Sequence, residues 1–110
     1  MFKKENRLVP GISFSNSHLI STPQFLLKEK KNGLEINRFG IVVSKKIDKR
    51  AVIRNRIKRF FRTTLLNLEK KINVGHDILL IVKKGIIGKT KEENLLMVRS
   101  ALEKAGLIKK

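Results

Sequence analysis

"KKIDKRAVIRNRIKRFFR", residues 45–62, carries nine Lys or Arg, one Asp, and one Asn set between two arginines. The hydrophobic period of the chain changes inside this stretch. From about Ala51 to Ile72, the positions Ile53, Ile57, Phe60, Phe61, Thr64, Leu65, Leu68 and Ile72 recur mostly at spacings of three and four. That is the pattern of an amphipathic helix with one buried stripe. The residues on either side follow other periods, so the stretch predicts a helix inserted between strands.

Toward the N-terminus the period is two. In "ISFSNSHLI", 12–20, Ile12, Phe14, His18 and Ile20 share one parity and Ser13, Ser15 and Ser17 the other, which predicts a strand with one buried face. "PQFLLKEKK", 23–31, continues strand-like and turns at "KNG", 31–33. "NRFGIVVSKK", 37–46, reads as a second strong strand with Phe39, Ile41 and Val43 on one face. Residues 1–11 read as an extended basic arm ending in the turn "PG".

Toward the C-terminus, "NVG", 73–75, ends the helix and "HDILLIVKKG" comes next. A short run apolar on both parities predicts a central strand covered on both faces. The last helix opens at Thr90, which forms a capping box with Glu93, and stops near Gly106. Leu95, Val98, Leu102 and Ala105 give its expected buried stripe. The element order is strands, helix, strand, helix: an α+β fold, arranged as a two-layer α/β sandwich in one domain over residues 1–110.

On a helical wheel of about 100° per residue, most apolar positions of residues 53–72 fill one arc. Arg62, Asn55, Arg59 and Lys58 fill the opposite arc, and Arg54 and Arg56 sit at its margins. A charge run is usually a solvated helix face, but such faces mix signs because oppositely charged i,i+4 pairs support the helix. Here Arg54, Lys58 and Arg62 are like charges one turn apart, and the first Glu after them is Glu69. A phosphate backbone accounts for the strip better. Lys and Arg attract it through counterion release, and arginines add a forked geometry. Asn55 can both donate and accept, so it can fix a phosphate, a 2′-hydroxyl or a base edge. Lys45, Lys46, Lys49 and Arg50 would extend the surface around the helix N-terminus, whose free N–H groups also favour anions.

Composition agrees. The 110 residues carry a formal net charge of +17, which opposes compaction and favours a polyanionic partner. Nucleic acid leads as the partner class, ahead of an acidic membrane surface. There is no cysteine, hence no disulfide and no thiolate metal site, as suits a reducing cytoplasm. The longest strongly apolar run, "ILLIV" at 78–82, is far below the roughly 20 residues of a membrane span. "MFKKENRLVPG" has no apolar segment after it and does not read as a signal peptide.

"SKKIDKRAVIRNRIKRFFR", 44–62, resembles the signature of the bacterial ribonuclease P protein component. The shared pattern is Ser44-Lys45-Lys46 at a strand end, a short loop, Ala51-Val52, then Arg54-Asn55-Arg56 and Lys58-Arg59 on a helix. The resemblance implies an accessory subunit that binds the catalytic ribonuclease P RNA and assists removal of the 5′ leader from precursor tRNA. It implies RNA contacts at Lys45, Lys46, Lys49, Arg50, Arg54, Asn55, Arg56, Lys58, Arg59 and Arg62. It also implies a left-handed strand–helix–strand crossover, similar to one domain of a small-subunit ribosomal protein and to the fourth domain of elongation factor G, where general rules favour the right-handed form. Most members of that family carry an N-terminal helix before the first strand, with aromatic residues that help line a leader cleft. Here Pro10-Gly11 would interrupt such a helix, and Phe14, Phe25 and Lys28 are the nearest candidates for leader contacts.

The residues offer no catalytic constellation of their own. His18 and His76 lie in separate strands without metal-ligand spacing, and no phosphate-cradling Gly loop or nucleophile motif occurs. The expectation is no cofactor or metal in the protein, and Mg2+ held with the RNA subunit, where cleavage would reside. The alternatives are a ribosome-associated RNA-binding protein of similar fold and a self-sufficient basic nuclease.

Overall fold

The computed structural model describes residues 18–108. Four strands form one sheet in the order β1-β2-β4-β3: β1 His18–Ser21, β2 Phe25–Lys31, β3 Arg38–Val42 and β4 His76–Val82. β1 and β2 form an antiparallel hairpin, with Ile20 opposite Leu27. Its turn is closed by Thr22, whose hydroxyl donates to the Phe25 carbonyl at 2.8 Å and accepts from the Phe25 N–H at 3.0 Å. "PQFLLKEKK" is therefore a reversal and a second strand rather than a continuation. The N-terminal arm and the first part of the expected strand at 12–20 lie outside the described residues.

β4 is central. It pairs antiparallel with β2 and parallel with β3. The parallel pair needs a crossover, which α1, Ala51–Leu68, supplies. A 3₁₀ turn over Glu69–Lys71 tightens its end before Ile72. α2, Lys91–Lys104, closes the chain. Its start is the expected capping box: Thr90 Oγ1 accepts from the Glu93 N–H at 3.1 Å, and the Glu93 carboxylate accepts from the Thr90 N–H. Gly106 takes φ +75° just past its end, where a side chain would be strained.

Register decides which face is covered. Phe25, Leu27, Phe39, Ile78, Leu80 and Val82 share one face of the sheet and are buried. They join Phe61, Leu65 and Leu68 of α1 and Val98, Ala101 and Leu102 of α2 in a single core. Phe25 meets Phe61 edge-to-face, with ring centroids 5.8 Å apart. The opposite face is only half-covered. Leu26, Leu79 and Ile81 are half-buried there, and Leu19 and Val42 are exposed. β4 is thus central in the sheet without being sealed on both faces. The α2 stripe is also rotated from its expected place: Asn94 and Ala101 are buried, while Leu95 is exposed.

A polar anchor at one end and a close backbone approach at the other fix the sheet ends. Asp77, fully buried, receives Arg38 Nε and Nη2, each at 2.8 Å, and Asn32 Nδ2 at 3.0 Å. Burial pushes the Asp77 carboxyl up, but the Arg38 and Asn32 hydrogen bonds and the Arg38 charge hold it below its usual value. At the other end Gly85 lies against the β1–β2 turn. A Cβ there would stand 1.9 Å from the Pro23 carbonyl oxygen, so only glycine lets these two segments meet.

Candidate nucleic-acid interface

The cationic surface begins where β3 ends. Val43 is buried and Ile47 packs against the core. The chain between them is a turn, with the Ile47 N–H donating to the Ser44 carbonyl at 3.1 Å. Anchored at these two apolar points, the loop exposes Lys45 and Lys46.

Asp48, the one acid of the stretch, organises the junction between this loop and α1. Arg50 grips its carboxylate through Nε at 3.1 Å and Nη2 at 3.0 Å, and the Arg50 N–H donates to Oδ1 at 2.8 Å. These Arg50 hydrogen bonds hold the Asp48 carboxyl down to about 2, and Arg50 is raised in return. Arg54 reaches back from the first turn of α1 and donates Nη1 to the carbonyls of Asp48 at 3.0 Å and Lys49 at 2.8 Å. Arg54 is half-buried. It therefore ties the loop to the helix rather than projecting with the strip.

The remaining strip residues divide simply. Lys49, Asn55, Arg56, Arg59 and Arg62 are exposed, and Lys58 is half-buried. Among the described residues, none of these five cations and neither Lys45 nor Lys46 forms an ion pair. The helix start they surround has no side-chain cap and no acid in its first turn. Its free N–H groups and its positive dipole end stand at the end of α1 that carries Lys49, Arg54 and Arg56.

The candidate leader contacts fare differently. Phe25 is fully buried against Phe61, which corrects its assignment: a core ring cannot stack on a leader base. Lys28 is half-buried and points to the opposite, partly open face of the sheet, between Leu19 and Leu79. Phe14 lies outside the described residues. Two features are not visible in the sequence. Asp48 serves as a loop organiser, signalled only by being a lone acid among cations, and Lys89 and Lys91 stand with Arg56 beside a cavity at the α1–α2 junction. Among the described residues, no group of three or more His, Cys, Asp or Glu is placed to hold a metal ion. No helix there is long and apolar enough to cross a membrane.

An acid-free cationic helix and a cationic loop closed around its single acid, Asp48, mounted on an open mixed sheet, define a small α+β RNA-binding protein. The family model described as Ribonuclease P matches residues 2–106, and the chain belongs to that family. It is 39% identical to the ribonuclease P protein component of Clostridium kluyveri over 90% of this chain and 84% of that protein. It is 32% identical to that of Caldanaerobacter subterraneus over 88% and 78%. A ribonuclease P protein structure from Staphylococcus aureus is similar at TM-score 0.79 with 27% identity, covering 87% of each chain. One from Thermotoga maritima is similar at TM-score 0.65 with 29% identity, covering 83% of this chain and 82% of the other. The family match does not favour a ribosome-associated protein without a ribonuclease role.

Proposed function

We propose that this chain is the protein subunit of ribonuclease P, that it binds the catalytic RNA through the 45–62 surface, and that it assists removal of the 5′ leader from precursor tRNA. The observation that carries the reading is the contrast between the two helices. α2 has a capping box and Glu92 and Glu93 in its first turn, as the helix dipole prefers. α1 has no cap and no first-turn acid, and is flanked there by Lys49, Arg50, Arg54 and Arg56. That arrangement opposes isolated helix stability and favours a bound polyanion. Phosphates supply the missing negative charge at the N–H groups and along Arg56, Arg59 and Arg62. Asn55, exposed at the centre of the strip, supplies a directed contact among the charges. Lys28 and the partly open sheet face are the place for leader contacts.

In this reading the phosphodiester chemistry, and the Mg2+ it uses, belong to the RNA subunit. The protein lowers repulsion where two RNAs approach, in the cytoplasm. The test is reconstitution with the organism's ribonuclease P RNA and cleavage of precursor tRNA at low magnesium. The mixture cuts at the mature 5′ end and rigorously RNA-free protein leaves the substrate intact. Cleavage by the protein alone overturns the placement of catalysis.

A further inference from the structure

The two helices meet beside the strip, and the meeting puts cations on both banks of one groove. Arg56 of α1 and Lys91 of α2 line the same two adjoining hollows, of about 370 and 480 Å3. Lys89 stands on the first of them and Arg59 on the second. All four side chains are exposed. Among the described residues Arg56, Arg59 and Lys91 form no ion pair, and Lys89 makes only a 3.9 Å contact with Glu93. Few acids stand near them. Asp48, on the first hollow, is already held by Arg50, and Glu92 is the one acid on the second.

This convergence is made by the fold, because the four cations come from two elements. Lys91 is also the first residue of α2, a position where the helix dipole disfavours a cation. Like charges brought together at a dipole end of their own sign cost free energy in the free protein, and an anion between them relieves it. The floor has a different character. Phe60, half-buried, lines both hollows, and Leu95 lines the second. Arg56, Phe60, Thr63 and Asn67 follow one another at spacings of three or four, so the groove runs about 16 Å along α1.

Cationic rims above an apolar floor suit a single nucleic-acid strand, with phosphates at the rims and sugar and base faces on the floor. Hollows of this volume are the size of small organic groups, so they admit one strand and not a duplex. We propose that the RNA-binding surface continues past α1, and that an unpaired strand of the catalytic RNA lies in the α1–α2 groove. Arg56 and Arg59 hold its phosphates from one bank, and Lys89 and Lys91 from the other. The start of α2, outside the 45–62 stretch, is thereby part of the interface. A strip on one helix only attracts a backbone, whereas two banks also fix its direction across the protein. The inference rests on the RNA-binding reading above.

The first test is Lys89→Ala with Lys91→Ala, titrated against ribonuclease P RNA across a salt series. Two single-strand phosphate contacts, at roughly 0.7 each, should come off the slope of log affinity against log salt. A fourfold rise in salt should then cost this variant about sevenfold less affinity than it costs the parent, and its free protein should melt at the parent temperature or higher. Lys70→Ala with Lys104→Ala removes the same charge at exposed positions away from the groove and should keep the parent slope. The chain has no cysteine, so one introduced thiol can carry an iron chelate that cuts nearby RNA. From Leu95→Cys it should cut one short stretch of ribonuclease P RNA, and from Lys104→Cys, at the far end of α2, it should leave that stretch intact. Asn67→Cys, exposed on the α1 bank, carries the same test if Leu95→Cys does not fold. With the parent binding normally, a parent-like slope in the Lys89, Lys91 variant, an equal loss in the control pair, or cuts confined to precursor tRNA each overturn this proposal alone. A parent that does not bind the RNA overturns it together with the functional reading.

Discussion

The two kinds of arginine in the 45–62 surface can be separated by salt. Arg56, Arg59 and Arg62 are exposed and have no ion-pair partner among the described residues, so each is free to neutralise a phosphate. Each such contact contributes about 0.7–0.9 to the slope of log affinity against log salt. Changing all three to Ala should lower the slope by about 2–3. Raising salt fourfold would then cost the variant about 20- to 40-fold less affinity than it costs the parent. Thermal stability should hold to within about 0.5 kcal/mol, as for surface positions elsewhere, because none of the three belongs to the core. Arg54 predicts a different signature. Its two bonds to the Asp48 and Lys49 carbonyls are charge-assisted but half-exposed, worth about 1–1.5 kcal/mol together. Arg54→Lys keeps the charge and loses the fork that reaches both carbonyls. It should melt earlier and bind ribonuclease P RNA more weakly with a parent-like salt slope. The assays are fluorescence titration across a salt series and a thermal melt. An unchanged slope in the triple variant would move the RNA surface elsewhere. Parent-like stability in Arg54→Lys would sink the loop-staple argument.

Three further outcomes rest on single residues. Asn55→Ala should weaken specific RNA binding by on the order of 1–2 kcal/mol, while Asn55→Lys should strengthen binding to an unrelated duplex without restoring the specific affinity; paired titrations check both. Asp77 has a folded carboxyl below its ordinary 3.8, so the stability it contributes is present above that value and is lost as pH falls through the lowered one. Melting temperature against pH should therefore be shallower in Asp77→Asn between about pH 5 and 3, and at neutral pH that variant should lose about 3 kcal/mol, the low end for breaking a buried pair whose other partner keeps some water. Thr90→Ala removes the α2 cap and should cost about 1 kcal/mol in a denaturant melt with no change in RNA affinity.

Legibility in the sequence depends on whether a residue's role is periodic or relational. Both helices, the capping box and the central place of β4 follow from spacing alone, because one buried stripe or one apolar run suffices to specify them. The hairpin at Thr22–Gln24 is marked by Thr22-Pro23 and by a change of parity, from Ile20 to Phe25 and Leu27, but the strand-like residues on both sides of it read as one run. Phe25 misleads for the same reason: a Phe beside lysines on a strand looks available until register places it on the face packed by Phe61. The strip residues are legible as a class, because like charges at i,i+4 conflict with helix stability. Their division is not. That Arg50 and Arg54 fold onto Asp48 and its neighbours is a matter of loop geometry, as is the meeting of Ile47, Ile86 and Asn94 around one cavity.

The helix that carries the charge is also the one whose local signals are weakest, and the fold compensates at the other end of it. The first half of α1 has cations against a positive dipole end, no cap, and three half-buried apolar residues instead of buried ones. The second half buries Phe61, Leu65 and Leu68, and Phe61 meets both Phe25 and Phe60 edge-to-face. Burying each of these side chains contributes about 1.5–3 kcal/mol, more than the few tenths that each like-charge pair removes. The C-terminal half thus holds the N-terminal half in a helical geometry that its own sequence resists. A helix start fixed from behind in this way keeps its N–H groups and exposed arginines unspent until an anion arrives. Replacing the first-turn cations with Glu would make a better helix and a worse surface. On the proposed function, the first half of α1 is shaped by binding and the second half by folding.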